Sequence, residues 1–291
     1  MSYNKANMYD VDPHIAEIYD QSETYRDDVD LLMSLINSVN LGVLGSIGAG
    51  SEPASTTPYI LEPFCGTGRI LIPLAQAGHT LVGLDQAAGM LDCARQKLAC
   101  LPPVMQSRVT LYRADVLVDE WPSGFNLVIL GGNSLYELAT AEAQEHVIRS
   151  AASSLKPGGY VYVDNDHMEG DLDLSWQQPG VRPGFPTGAC ADGTRVESTT
   201  ETIWFDVPAR LAKFRRTTRI DFPGSSETSR KGFEVEYTQQ KHPVSKGEVQ
   251  TWLERYGFII EKTSGDWAGN SYTPASERAI FLARKYPGGE A

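Results

Sequence analysis

A chain of 291 residues, 41% hydrophobic and 21% charged, can build a sizeable core and carries no compositional mark of disorder. Its formal net charge of −12 argues against a reader of nucleic-acid backbones, which needs clustered Lys and Arg. Cys65, Cys93, Cys100 and Cys190 form no C-x-x-C pair and have no His at ligand spacing, so a zinc site is not expected and reduced thiols of the cytoplasm are. The opening "MSYNKANMYDVDPH" lacks a basic stretch followed by an apolar one, and no apolar run reaches membrane-spanning length. The expectation is a soluble cytoplasmic protein that binds neither nucleic acid nor membrane.

In chain order, "DVDPHIAEIYDQSETYRDDVDLLMSLINSV" reads as one or two amphipathic helices, and "GSIGAGSEPASTTP" as a polar loop. A strand–turn–helix–strand unit follows: "YILEPF", "CGTG", "RILIPLAQAG" and "TLVGLD". "GMLDCARQKLACL" has helical spacing and is stopped by Pro102 and Pro103. "RVTLYRAD" and "FNLVILGG" are strands, "AEAQEHVIRSAASSL" a helix, "KPGG" a turn and "YVYVDND" a fifth strand. Strands alternating with helices in this way predict a mostly parallel sheet covered on both faces.

The pattern changes after residue 165. "TRVESTTETIWFDV", "ARLAKFRRTTRIDF" and "KGFEVEYTQQKHPV" alternate apolar and polar between Pro, Gly and Ser, which predicts antiparallel strands of an insertion lying over one sheet edge. "SKGEVQTWLERYG" is a helix capped by Ser245, and "FIIEKT" and "AIFLARKY" are closing strands. The division expected is a helical cap at 1–50, an α/β core at 51–165 and 246–291, and the antiparallel β insertion at 166–245, covering the acceptor site.

Acids stand at three successive strand ends. Glu62 precedes the glycine turn, Asp85 ends the second strand and Asp115 follows the third. Gly66 and Gly68 let the backbone approach a ligand closely at a helix start. A dinucleotide fingerprint wants Gly or Ala three residues after its second glycine; that position holds Leu71, and Glu62 would repel a pyrophosphate. A ligand with an amine, a ribose and an adenine amino group suits the three carboxylates, and S-adenosylmethionine has all three.

"LEPFCGTGR", "VGLD", "RAD" and "LKPGGYVYV" resemble successive motifs of the class I S-adenosylmethionine-dependent methyltransferases, and the closing helix and strand pair resemble the reversed hairpin that ends that family's sheet. The resemblance implies a Rossmann-like α/β fold, mostly parallel with an antiparallel last strand. It implies cofactor binding by Glu62, Gly66, Gly68, Asp85, Asp115 and Val116, with Tyr19 in the segment that folds over the cofactor. This chain departs from the pattern at Phe64, where the family often has glycine.

"GGNSLYEL" resembles the matching stretch of glycine and sarcosine N-methyltransferases, which puts Asn133 at the boundary of cofactor and acceptor. Asp164, Asp166 and His167 form the candidate base cluster by position, because a near-neutral His beside carboxylates can take a proton. Asn133, Asp164 and His167 are thus the catalytic candidates, and Asn133, Tyr136, Trp267 and Tyr272 the acceptor-binding ones. Arg182, Arg195, Arg215, Arg216 and Arg219 lie in the insertion with no role set by motif.

The activity expected is methyl transfer to a nitrogen or oxygen of a small-molecule acceptor, without a metal. An NAD-dependent oxidoreductase, a non-catalytic S-adenosylmethionine-binding regulatory protein and aminopropyl transfer are the alternatives. Acceptor identity, the atom methylated and a homodimer are left open.

Overall fold

The structure is a computed structural model and describes residues 8–39, 58–166, 174–224 and 231–287. His167 lies outside them. The N-terminal segment forms two helices, α1 (His14–Ser22) and α2 (Asp27–Ser38). The core then alternates as the pattern predicts: β1 (Tyr59–Pro63), α3 (Leu71–Gln76), β2 (Thr80–Asp85), α4 (Ala88–Ala99), α5 (Pro103–Gln106), β3 (Val109–Arg113), β4 (Phe125–Leu130), α6 (Ala141–Ser154) and β5 (Leu155–Asp166). A short helix α7 (Leu174–Gln177) leads into β6 (Val181–Ala189), β7 (Arg195–Asp206), β8 (Leu211–Asp221) and β9 (Phe233–Lys241). The chain closes with α8 (Lys246–Arg255), β10 (Phe258–Ser264) and β11 (Arg278–Lys285).

Seven strands form one sheet in the order β10-β11-β5-β4-β1-β2-β3. β1 pairs in parallel with both β2 and β4, so the strand order reverses beside it. β11 runs antiparallel to β5 and to β10. Period-two alternation gives the sheet two cores. Leu61, Val128, Val161 and Phe281 point to the face covered by α6 and α8, with Val147, Ile148, Trp252 and Leu253. Ile60, Leu127, Tyr162 and Ile280 point to the opposite face, against Val29, Leu32, Leu71 and Leu91 of α2, α3 and α4. Because ligands settle outside the carboxyl ends of parallel strands at such a reversal, this topology directs attention to the ends of β1, β2, β4 and β5.

Four local features differ from the sequence reading. The helix after the glycine turn begins two residues later and ends two earlier than its apolar pattern, with Gly78 at φ 103 behind it. Pro102 and Pro103 do end α4, but Pro103 also opens α5, since a first-turn proline lacks only an N–H that has no helical partner anyway. The KPGG turn is absorbed into β5 as an irregularity in its pairing with β4. The insertion has four strands rather than three, in the order β6-β7-β8-β9.

The missed β6 carries Pro183, Gly184, Pro186 and Gly188, a composition that hides a strand; it lies at the sheet edge, where proline costs no ladder bond. This second sheet packs on α1 through Ile15, Ile18, Cys190, Val196 and Ile220. Its anchor is therefore the N-terminal helix as well as the core. No described helix is long and apolar enough to cross a membrane.

Candidate active site

The turn after β1 is built from left-handed residues: Phe64 at φ 64, Gly66 at φ 52 and Gly68 at φ 80. The position where the motif often has glycine thus keeps a glycine-favoured conformation with a phenylalanine in it. Cys65 N–H donates to the Leu84 carbonyl at 3.0 Å and Gly68 N–H to the Cys65 carbonyl at 2.8 Å, which ties the turn to β2. A Cβ at Gly83 would come within 2.7 Å of Cys65 Sγ and 2.8 Å of Leu71 Cδ1. Close helix–strand packing is met here by a glycine on the strand, so the helix side can hold Leu71.

Asp85 joins the turn to the next helix. Its Oδ2 accepts from Gly66 N–H at 2.9 Å and its Oδ1 from Ala87 N–H at 2.8 Å. Burial pushes its carboxyl up to about 6, and the two backbone N–H groups hold it from rising further. Glu62 is only 4% exposed, and its Oε2 has no hydrogen-bond partner among the described residues. Burial drives this carboxyl well above the usual range, opposed mainly by the charge of Arg69. Asp115 caps the turn after β3, its Oδ1 accepting from Leu117 N–H at 3.0 Å, while Val116 is buried and holds Trp121 Nε1–H on its carbonyl at 3.0 Å.

Aromatic side chains of the N-terminal segment come over this groove. Tyr9 and Phe185 meet Tyr19 edge-on at 6.1 and 6.2 Å, and burial pushes the Tyr19 hydroxyl up to about 12. Arg69 grips buried Asp28 with two bonds of 2.9 and 2.6 Å and lies 4.4 Å from the Tyr25 ring centre. Tyr25 stacks on Trp267 at 4.9 Å, and Arg278 sits 4.4 Å from the Trp267 ring. A run of contacts, Arg69–Tyr25–Trp267–Arg278, thus links the cap, the glycine turn and the last hairpin.

At the ends of β4 and β5 the structure brings Asn133, Asp164, Asp166 and Tyr136 together. Asn133 is left-handed, at φ 60 and ψ 25. Its Nδ2 donates to Asp166 Oδ2 at 2.9 Å, and its Oδ1 accepts from Asp166 N–H at 2.7 Å and from Arg278 Nη2 at 3.0 Å. Tyr136 hydroxyl donates to the Asp166 carbonyl at 3.0 Å. Asp164 is fully buried and accepts from Arg278 Nε and Nη2, from Trp267 Nε1 at 2.9 Å and from Tyr162 hydroxyl at 3.2 Å. Burial raises its carboxyl while Arg278 opposes the rise. Asp166 is also paired with Arg278.

Tyr272 is not in this group: it packs with the α6–α8 core, its ring 5.7 Å from Lys246 Nζ. Arg69, Asp28 and Arg278 escaped the sequence reading. Only the place of Arg69, directly after the turn, offered a signal.

Residues 60–159 match a family model described as a methyltransferase domain. No curated protein matches the chain in sequence. Among solved structures, an S-adenosylmethionine-dependent methyltransferase from Clostridium acetobutylicum superposes with a TM-score of 0.66 at 16% identity, covering 96% of this chain and all 100% of that one. The sugar N-methyltransferase KedS8 from Streptoalloteichus gives 0.61 at 14% identity, with 98% and 99% covered. CalS10, an amino pentose methyltransferase from Micromonospora echinaspora solved with S-adenosylmethionine bound, gives 0.57 at 14%, again with 98% and 99% covered.

These likenesses establish a shared fold. Over residues 60–159 the chain matches a methyltransferase domain, on a fold shared with S-adenosylmethionine-dependent methyltransferases. The groove fits that cofactor: a buried carboxylate oxygen without a partner among the described residues suits a cation, next to a turn whose glycines are left-handed.

Proposed function

We propose that this enzyme methylates an amino nitrogen of a small molecule. The orphaned Oε2 of Glu62 carries the cofactor half of this reading: a buried carboxylate is costly unless a cation pairs with it, and the ammonium of S-adenosylmethionine supplies one. Asp85 receives the ribose hydroxyls, since each of its oxygens keeps a lone pair beyond the backbone bond it accepts. Asp115 and Val116 hold the adenine, and Tyr19 closes over the groove.

The bound cofactor supplies an electrophilic methyl group on a sulfonium sulfur. Its acceptor lies beside Asn133, Tyr136 and Trp267, under the insertion. Asn133 shapes this end of the site through its left-handed backbone, because both ends of its side chain are already bonded. Asp164 anchors Arg278 and Trp267.

The state of the β5 carboxylates favours nitrogen over oxygen. Both oxygens of Asp164 and of Asp166 already accept hydrogen bonds from the protein, so neither carboxylate is free to take a proton from an acceptor hydroxyl. A hydroxyl needs a base during transfer, whereas an amine that enters neutral does not. His167 then takes the proton left on the methylated nitrogen. Structures of the same fold named as sugar N- and amino pentose methyltransferases support this preference.

Titration calorimetry with S-adenosylmethionine tests the first half. Loss of a charge-assisted bond of about 1.5–3 kcal/mol predicts roughly tenfold to hundredfold weaker binding in Glu62→Gln. A product-mass screen of amines against alcohols and phenols tests the second. Methylated phenols without methylated amines would overturn the nitrogen assignment.

A further inference from the structure

The insertion presents one face of its sheet inward. Directly opposed residues of antiparallel strands share a face, and the register aligns Arg182, Thr200, Arg216 and Tyr237 in one row across β6, β7, β8 and β9. Phe214 and Gln239 form a neighbouring pair on the same face. Along this face four buried polar atoms have no hydrogen-bond partner among the described residues: Thr200 Oγ1, Arg216 Nε, Tyr237 hydroxyl and Gln239 Oε1. Buried polar groups are almost always paired, so four orphans at adjoining positions mark a place completed by something other than the protein.

The arginines decide what that something is. Arg215 is turned to the other face and paired with Glu201 and Glu236, and Arg219 is paired with Asp221. Arg195 is exposed. Arg182 spends its donors on the carbonyls of Gln178 and Gly180 and on Thr202. Arg69 and Arg278, the half-buried arginines of the groove, are held by Asp28 and by Asp164 and Asp166.

Arg216 alone among these insertion and groove arginines combines partial burial with neither an ion pair nor a side-chain hydrogen bond among the described residues. Its guanidinium lies 5.5 Å from the centre of the Phe214 ring. The acid that acts on it from the core, Glu137, lies 3.7 Å from Lys241.

This face reaches the acceptor end of the core sheet. Phe214 meets Trp176 edge-on at 5.4 Å, Trp176 meets Tyr136 at 6.3 Å, and Tyr136 is bonded to the end of β5. Glu137 and Tyr9 influence Arg216 electrostatically, and Tyr9 in turn feels Asp85.

We propose that Arg216, with the hydroxyls of Thr200 and Tyr237, is a subsite for an oxyanion, carboxylate or phosphoryl, carried by the acceptor away from the atom that is methylated. A guanidinium presents planar paired donors that match either group, and the two hydroxyls add donors at its sides. The amide oxygen of Gln239 then takes a donor from the acceptor's body. This rests on the methyl-transfer reading and narrows it to acceptors that combine an amine with an anionic group.

The test titrates the full-length protein, saturated with S-adenosylhomocysteine, with acetate and with inorganic phosphate at constant ionic strength, against Arg216→Met and Arg216→Lys. Cofactor affinity measured on the same samples reports whether each variant is folded. Binding of either anion that falls at least tenfold in Arg216→Met, with partial recovery in Arg216→Lys, supports the subsite. Preference for acetate or for phosphate tells which anion the acceptor carries. Cofactor binding without anion binding, or anion binding indifferent to position 216, overturns this subsite and leaves the methyltransferase reading standing. Wild-type protein that fails to bind the cofactor overturns both.

Discussion

Asp85 fixes the turn through Gly66 and Ala87 and, in the proposed cofactor site, offers its remaining lone pairs to the ribose. Only the ionised form does both well. Its carboxyl is raised to about 6 from an ordinary value near 3.8, so the folded chain holds a proton there that the unfolded chain has lost between those pH values. Stability from this group therefore falls as pH rises through that window. Cofactor affinity moves the other way: it is expected to weaken as pH drops below about 6, and the inflection should vanish in Asp85→Asn. A calorimetric series from pH 5 to pH 8, paired with that variant, checks it, and a flat wild-type profile counts against the role. The turn at Gly66 and Gly68 was readable because residue type and left-handed conformation coincide at both. Phe64 shows the converse, for nothing local announces that a phenylalanine adopts a left-handed turn.

Between elements, the stack of Tyr25 on Trp267 couples the N-terminal cap to the loop before β11. An aromatic pair is worth about 0.5–1.5 kcal/mol beyond the area it buries. A double-mutant cycle with Tyr25→Leu and Trp267→Leu, read by urea unfolding, is expected to show coupling of that size. Strictly additive effects would mean that the cap and the hairpin stand independently. Trp267→Phe removes only the indole N–H from buried Asp164, and should by itself cost about 1.5–3 kcal/mol. Element type was legible wherever period and punctuation agreed, as in β2, α6 and α8 with its Ser245–Glu248 capping box. β6 was hidden because prolines and glycines that mark a loop locally are equally at home on a sheet edge, and edge position is a property of the sheet.

Across the whole molecule, the proposed cofactor groove is bordered by parts far apart in the chain: the ends of β1 and β2, the N-terminal helices and the last hairpin. Binding should therefore stabilise the fold as a unit. At a hundred times its dissociation constant the cofactor contributes about 2.7 kcal/mol, a rise of roughly 5 °C in Tm for a chain of this size. A thermal-shift titration measures it, and Glu62→Gln should flatten the response at the same concentrations.

The order of strands and helices, the glycine turn and the acids at three strand ends were determined by the sequence, because each depends on chemistry within a few residues. Which face of the insertion turns inward, which arginines meet carboxylates and which one does not were decided by tertiary structure alone. Arg278 finds Asp164 across 114 positions and Arg69 finds Asp28 across 41, and no periodicity links such pairs. A charge is matched or left open by what the fold brings beside it.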